Sequence, residues 1–506
     1  MTTERAPAPG VPTAPTTTEP AASAAPTTTR SASSAEFADA LREAARIAVL
    51  SPSSHNCQPW AVAWARSEVS RAAAVRVVEG EAGASGVPGV PGVLREAEGP
   101  EGGRGGRGDG TDAADDTYEV KEADEAKGAG EADETCQYLV LGLDRDRELR
   151  SLPAHAVEML LSCGLYWQLL LRALEAQGWS VDALRFADGP LDAGAAHGAE
   201  LPGTAWPRSW TALCVARLRG RGGAGPGAEA GVEAGAEAGA GAGGATGAGG
   251  DVGPGARDGG AELRALRAAA RARRTNRAPY RPQPVRPALL DGLLAPSGCA
   301  AARGADVTVR HLTSGTDRAA FADFVAEHGG RDFSHREAWR ETYAFLRADR
   351  SRAAARGDGF ALDQLFGPLS WPSRQALRAA LAPATMRLLG PVRYDRFVGR
   401  RLAHGLARMV RPTPVVVAMS FDRTEPTLAD AVKGGARLAD YWLCATVAGL
   451  ALHPVSVVLQ HEDLRAAFQS SLRIPGRAFF VSRLGWPATE FPCSPRRPAD
   501  AHLRRI

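Results

Sequence analysis

The chain has 506 residues, with 60 Lys or Arg against 57 Asp or Glu and seven cysteines. Its cysteines form no Cys-x-x-Cys pair and no cysteine–histidine cluster, which argues against a disulfide framework or a structural zinc site. The formal charge of +3 hides 14 acidic and 4 basic side chains in residues 96–134, yet no zinc-finger, RNA-recognition or helix-turn-helix pattern uses the remaining arginines, so nucleic acid is not an expected partner.

Residues 1–33 are rich in Thr, Ala and Pro and poor in large apolar groups, so they read as a disordered tail. They lack the basic start and apolar run of a secretory signal, and a cytoplasmic location is expected. A helix is predicted over Glu36–Leu50, with Phe37, Leu41, Ala44, Ala45 and Ala48 on one face and Ser34 as its cap. The turn Ser51-Pro52-Ser53-Ser54-His55-Asn56-Cys57-Gln58-Pro59-Trp60 follows, and Trp60 opens a strand. Residues 80–134 are Gly-rich and acidic, and residues 219–260 repeat Gly and Ala. Neither stretch buries enough apolar surface to offset its ordering entropy. About 375 residues remain for packed structure.

Strands are predicted at Tyr138–Leu143, Thr211–Leu218, Val307–Leu312, Pro414–Met419 and Phe479–Leu484. Long apolar helices are predicted at His155–Gln177 and Thr427–Leu450. Charged residues interrupt both, including Glu158 and Arg172 in the first and Arg437 and Asp440 in the second, so neither reads as a membrane span. An arginine-rich helix starts near Glu262 and ends in Arg273-Arg274-Thr275-Asn276-Arg277. Residues 316–350 and 373–410 have helix-forming composition. Near the end lie Leu484-Gly485-Trp486-Pro487 and Pro495-Arg496-Arg497-Pro498.

Two of these segments carry chemistry. The turn after the first helix offers backbone N–H groups, hydroxyls and carboxamides on a proline-fixed backbone, suited to a planar polar ligand. The arginine element offers paired guanidinium donors and a hydroxyl, suited to phosphate oxygens. Arg496 and Arg497, restrained between prolines, suit a further anion contact. Cys57 and His55 lie in the turn, but neither is assigned catalysis.

The turn resembles the flavin-contacting P-S-S-x-N-x-Q-P-W pattern of the nitroreductase family, and Arg273 to Arg277 resemble that family's R-R-S-x-R element. The resemblance implies that FMN is the cofactor, contacted by Pro52, Ser53, Ser54 and Asn56 on one side. Arg273, Arg274, Thr275 and Arg277 would hold its phosphate side, completed by Arg496 and Arg497, with Gln58 supporting the turn. Typical members carry the arginines first and the turn later; here the order is reversed. Ala295-Pro296-Ser297-Gly298-Cys299 looks like a decayed second turn, and upstream of Pro52 stand no clustered arginines, but the scattered Arg5, Arg30, Arg42 and Arg46 alone. This order implies two nitroreductase-like halves, residues 34–218 and 261–506, fused into an internal pseudo-dimer with one FMN site. It resembles the actinobacterial Acg-like branch, as do Gly164 and the Gly357-Asp358-Gly359 region.

The fold implied is α+β, with mostly antiparallel sheets around long central helices and a helical lid within 316–410. The activity implied is FMN-dependent oxidoreduction of a small-molecule substrate, with NAD(P)H or an organic donor as reductant and no catalytic side chain or metal. The chain would act as a monomer or a homodimer, without a membrane partner. The alternatives are a protein that sequesters FMN without turnover and a biosynthetic FMN-dependent dehydrogenase.

Overall fold

The computed structural model describes residues 34–79, 136–187, 189–191, 205–220, 258–295, 299–367 and 369–506. The predicted tail, the acidic insert, most of the Gly/Ala linker and the centre of the decayed turn lie outside them.

Helix α1 (Ser34–Ala48) leads through the Ser51–Pro59 turn into strand β1 (Trp60–Ala65), helix α2 (Glu68–Glu79) and strand β2 (Cys136–Asp144). Helix α3 (Pro153–Glu175) and strands β3 (Trp179–Phe186) and β4 (Trp210–Gly220) follow. The second half opens with α4 (Gly259–Ala272), α5 (Pro287–Gly292) and β5 (Val307–Leu312). A helical insertion comes next: α6 (Gly315–His328), α7 (Gly330–Ser334), α8 (Arg336–Ala344), the short strand β6 (Leu346–Arg347), α9 (Arg350–Arg356) and β7 (Phe360–Ala361). It continues through α10 (Leu362–Phe366), α11 (Trp371–Leu381), α12 (Pro383–Tyr394) and α13 (Arg400–Val410). The half closes with β8 (Val415–Phe421), α14 (Leu428–Val447), β9 (Ala451–Pro454), α15 (Glu462–Leu472), β10 (Arg477–Gly485) and β11 (Leu503–Arg505).

The strands form two main sheets, in the orders β11-β1-β2-β4-β3 and β5-β8-β10-β9. Leaving out β11, the two orders are the same: first, second, fourth and third strand of each half. Within these two sheets pairing is antiparallel except that β11 runs parallel to β1, so the end of the chain completes the first half's sheet; the small β6–β7 pair is parallel. Each half also places its long excursion between its first and second strands. The fold is α+β with an internally repeated topology, as expected.

Alternation along the strands sets the layers. Trp60, Val62 and Trp64 of β1 join Val415, Val417 and Met419 of β8 in one core with α3 and α14. Ala61, Ala63 and Ala65 face a separate cluster beneath α2, while Val416 and Ala418 pack with α6, α13 and α15. Both faces of each sheet are covered, which explains the nearly unbroken apolar runs of β1, β2 and β8.

Helix α3 begins with Pro153 in its first turn, where the missing N–H costs nothing. Helix α14 begins with a capping box between Thr427 and Asp430. The two helices cross at glycines. A Cβ on Gly164 would lie 2.0 Å from the Val432 carbonyl oxygen, and one on Gly435 would lie 2.2 Å from that of Leu161. Buried Asp440 ties the pair together by accepting from Gln168 at 2.8 and 3.0 Å and from Arg172 at 3.1 Å. Helix α3 is long and apolar enough to cross a membrane, but 89% of its most apolar window is buried inside this fold.

Candidate functional site

The Ser51–Pro59 turn sits where α1, α3, the helical insertion and the end of the chain converge. Three residues bend it. His55, Asn56 and Gln58 all have positive φ, at 52°, 52° and 54°, a conformation that side chains other than glycine adopt at a cost. Buried hydrogen bonds hold it there. The Gln58 amide donates to Gly357 O at 2.7 Å, and its oxygen accepts from Arg497 N at 3.0 Å. The Asn56 amide donates to Gly359 O at 2.9 Å and Pro495 O at 3.0 Å, and its oxygen accepts from Arg496 Nη1 at 2.8 Å. Asp358, between the two glycines, pairs with Arg147 at 2.9 Å and with Arg347 at 2.5 Å. The Gly357-Asp358-Gly359 loop is thus clamped onto the turn. Gly359 is required there: its φ is +66°, and a Cβ would lie 2.1 Å from the Phe345 carbonyl oxygen.

A cavity of about 210 Å³ opens beside the turn. Pro52, Ser53, Ser54 and His55 form one wall, and Thr275 and Arg277 reach it from the arginine element. Trp442, Phe479 and Phe480 supply apolar surface from the second half, and Phe360 from the insertion. A wider open depression of about 690 Å³ lies over the charged face of α1, but it contains none of these motif residues.

The expected residues divide into groups. Pro52, Ser53, Ser54, Thr275 and Arg277 line the cavity. Arg277 packs over Phe360 at 5.5 Å, and burial pulls its guanidinium down to about 10. Arg273 lies one step beyond, stacked over Trp442 at 5.1 Å, and Arg496 approaches it from the other side. Both donate to the same carbonyl oxygen, that of Leu50, at 3.3 Å each. Arg273 Nε and Nη1, Arg496 Nε and the neighbouring Ser51 Oγ are buried without a hydrogen-bond partner among the described residues. Burial holds the Arg273 guanidinium well below its ordinary value, and Arg496 and Arg274 add repulsion. Burial likewise pulls Arg496 down to about 10. Arg497, next in sequence, has Nη1 buried and unpartnered among the described residues, but its charged neighbours are Arg147, Asp144, Asp358 and Arg504.

Two expected residues are placed differently. Asn56 does not line the cavity; both ends of its carboxamide are spent on joining the turn to the insertion and the chain end. Arg274 folds back on its own helix, donating to the carbonyls of Arg271 and Arg273. Helix α4 has ended by Arg273, so these unpaired carbonyls attract the nearest cation. Cys57 is fully buried against Met159, and burial pushes its thiol up to about 12, which suits packing rather than redox exchange.

One group was not anticipated. Glu158 of α3 faces the cavity, accepting from Ser54 Oγ and, at 2.7 Å, from Gln460 Nε2. Because the Ser54 hydroxyl hydrogen goes to Glu158, Ser54 Oγ accepts from His55 Nδ1 at 2.9 Å. The opposite ring nitrogen then accepts from Thr342 Oγ1 of α8 at 3.1 Å. His55 stays neutral: burial first, then repulsion from His155 and Arg277, lowers it to about 3. The sequence held one signal for this group, an acid inside an otherwise apolar helix. Its partners lie from 104 to 302 residues away.

No protein-family model matches the chain. A 176-residue stretch is 33% identical to a protein of Serratia sp. described as "Probable NAD(P)H nitroreductase PigM". The match covers 35% of this chain and 47% of that relative, about half its length. Among solved structures, an FMN and NADPH-dependent nitroreductase NfnB from Sphigopyxis sp. strain HMH aligns at 22% identity and a TM-score of 0.28. That alignment covers 46% of this chain and 95% of the other. An FMN-dependent nitroreductase NfnB from Mycobacterium smegmatis aligns at 14% identity and a TM-score of 0.27, covering 45% and 93%. At such scores the superpositions carry no weight of their own, and the fold rests on the strand order above.

Proposed function

We propose that the chain is an FMN-dependent oxidoreductase of the nitroreductase type, with one flavin site shared between two fused halves as in the Acg-like arrangement. The observation that carries this reading is the pair Arg273 and Arg496. Two guanidinium groups share the Leu50 carbonyl, and among the described residues Arg273 Nε and Nη1 and Arg496 Nε have no partner beside a buried hydroxyl and neither group meets a carboxylate. Such a cluster fits a phosphate, which would neutralise both charges and fill the vacant donors. The adjoining cavity, with Trp442 and Phe480 on one side and the Pro52–Ser54 backbone on the other, fits a flat ring. Arg277, Thr275 and Arg497 are the remaining candidates for cofactor contacts.

Bound FMN supplies two-electron acceptor and donor chemistry. The chain's own share is to hold the anionic end, to orient the ring against the turn and to limit water through the insertion. A small-molecule acceptor and NAD(P)H as reductant fit this reading, as do cytoplasmic action and a monomer built as an internal pseudo-dimer. Purification followed by an absorbance spectrum tests it: a yellow protein releasing about one FMN per chain is expected, and a colourless one that takes up no added FMN rejects it.

A second reading, sequestration of FMN without turnover, draws on the insertion's hold on the turn through Gly357, Gly359 and Thr342. Anaerobic NADPH separates the two. Bleaching of the bound flavin supports the enzyme, and persistent colour supports sequestration.

A further inference from the structure

We propose that Glu158 is the proton-transfer residue of this cavity, placed to take an O–H or N–H proton from a substrate oxidised at the adjoining carbon. The inference rests on the flavin reading above. The substrate's C–H bond breaks with its electron pair passing to the oxidised flavin, and its X–H bond breaks with the proton passing to a Glu158 oxygen. A C=X double bond forms. The substrate loses two electrons and two protons in all, of which the flavin takes a hydride and Glu158 a proton.

Three observations support the assignment. First, Glu158 is the carboxylate among the residues lining the cavity, and it projects from an apolar helix, where a charge without purpose is costly. Second, its direct partners are neutral. Ser54 and Gln460 steady one oxygen each, and among the described residues no Arg, Lys or His forms an ion pair with it. A carboxylate oxygen accepts two hydrogen bonds, so each keeps room for a substrate hydrogen. Third, the chain Thr342–His55–Ser54 donates in one direction, each link toward Glu158, which fixes the carboxylate's position from the insertion inward. The charged or titratable groups around it are His55 and Cys57 on the turn, His155 on its own helix, Asp332 of α7 and, across the cavity, Arg277.

The test uses the full-length chain loaded with FMN, as wild type and Glu158→Gln. Flavin absorbance comes first: equal loading shows that the variant folds and that the cofactor reading stands. If neither protein takes up flavin, the cofactor reading fails by itself, and the next measurement is made without flavin. 4-Nitrophenol, a proton donor whose colour reports its ionisation, is then titrated into both proteins across pH. A carboxylate in contact favours the neutral phenol, so the bound probe should ionise about 1 to 3 pH units higher in wild type than in Glu158→Gln. If the glutamine variant does not fold, Glu158→Asp keeps the charge but withdraws it, and a smaller displacement is expected. Identical ionisation in wild type and variant, or no binding of the phenol to wild type, overturns the assignment.

Discussion

Arg273 and Arg496 are buried guanidinium groups that form no ion pair among the described residues. Each guanidinium is desolvated, each repels the other, and one carbonyl serves both. Arg273→Met should therefore act in opposite directions on the two states. The protein without FMN should melt higher, because a buried charge is replaced by an apolar chain of similar length. FMN affinity should fall about 10–100-fold, the equivalent of one lost charge-assisted hydrogen bond of about 1.5–3 kcal/mol. Calorimetry without FMN and a fluorescence titration with it would check both, and a lower melting point without FMN would remove the argument.

His155 gives a prediction in pH. Burial alone would lower it, but its 3.2 Å contact with Glu341 of α8, aided by Glu158, raises it above the ordinary 6.5. Glu341 in turn is held at about 2 against the effect of burial, through His155 and through the Arg150 and Ser151 amides. A histidine raised by folding contributes fully below its unfolded value of 6.5 and loses that contribution as pH rises through the folded value. His155→Gln should thus lower the urea midpoint more at pH 5.5 than at pH 8.5. An equal loss at both would show that the pair does not titrate with folding. Such contacts are hard to foresee from sequence. Pro52, Ser53 and Ser54 stand in one run and Thr275 and Arg277 in another, so their pattern was readable. Glu158, Thr342 and Gln460 are single residues in ordinary surroundings, and folding alone brings them to the turn.

At the scale of elements, the crossing of α3 and α14 sets the distance between the two sheets. Gly164→Ala would drive a methyl into the Val432 carbonyl, and the helices would have to part. A loss of about 1–3 kcal/mol is expected, the usual cost of overpacking, read from denaturant unfolding. An unchanged midpoint would mean that the crossing is looser than described. Elements with a strong period were legible: β5 matches its expected bounds, and α1, α3 and α14 shift by a few residues at most. Strands β3 and β9 were not. The first alternates charged and apolar residues at a sheet edge, and the second is four residues long and ends in proline. The composition of residues 316–350 and 373–410 predicts helix, but the structure divides the insertion into short helices, with breaks at Gly329, Gly357 and Gly367 and also at His335 and before Pro383. Propensity marks helix content there and leaves the breaks to individual residues.

For the whole molecule, the claim is that two half-units behave as one. Each contributes a central helix to a shared core, and β11 crosses from the second to the sheet of the first. Residues 1–240 and 241–506, expressed together as separate pieces, should copurify in equal amounts and take up FMN as a pair. Flavin bound by residues 241–506 alone would show that the site does not need the first half's turn. The order of strands was beyond the reach of sequence, because pairing partners lie far apart. What was legible is that the arginines and the turn come in the reversed order, which points to fusion.

The repeated strand order carries an evolutionary consequence. When two identical subunits build twin sites, every substitution is made twice, and an ornament grown over one site is grown over both. A duplicated gene read as a single polypeptide escapes that constraint. One copy is free to lose its own pocket and to turn the space between its first two strands into a hundred-residue cover for its sibling. On the fused reading proposed above, the helices around Thr342 and Gly359 are the product of that freedom, an asymmetry no pair of interchangeable subunits could inherit.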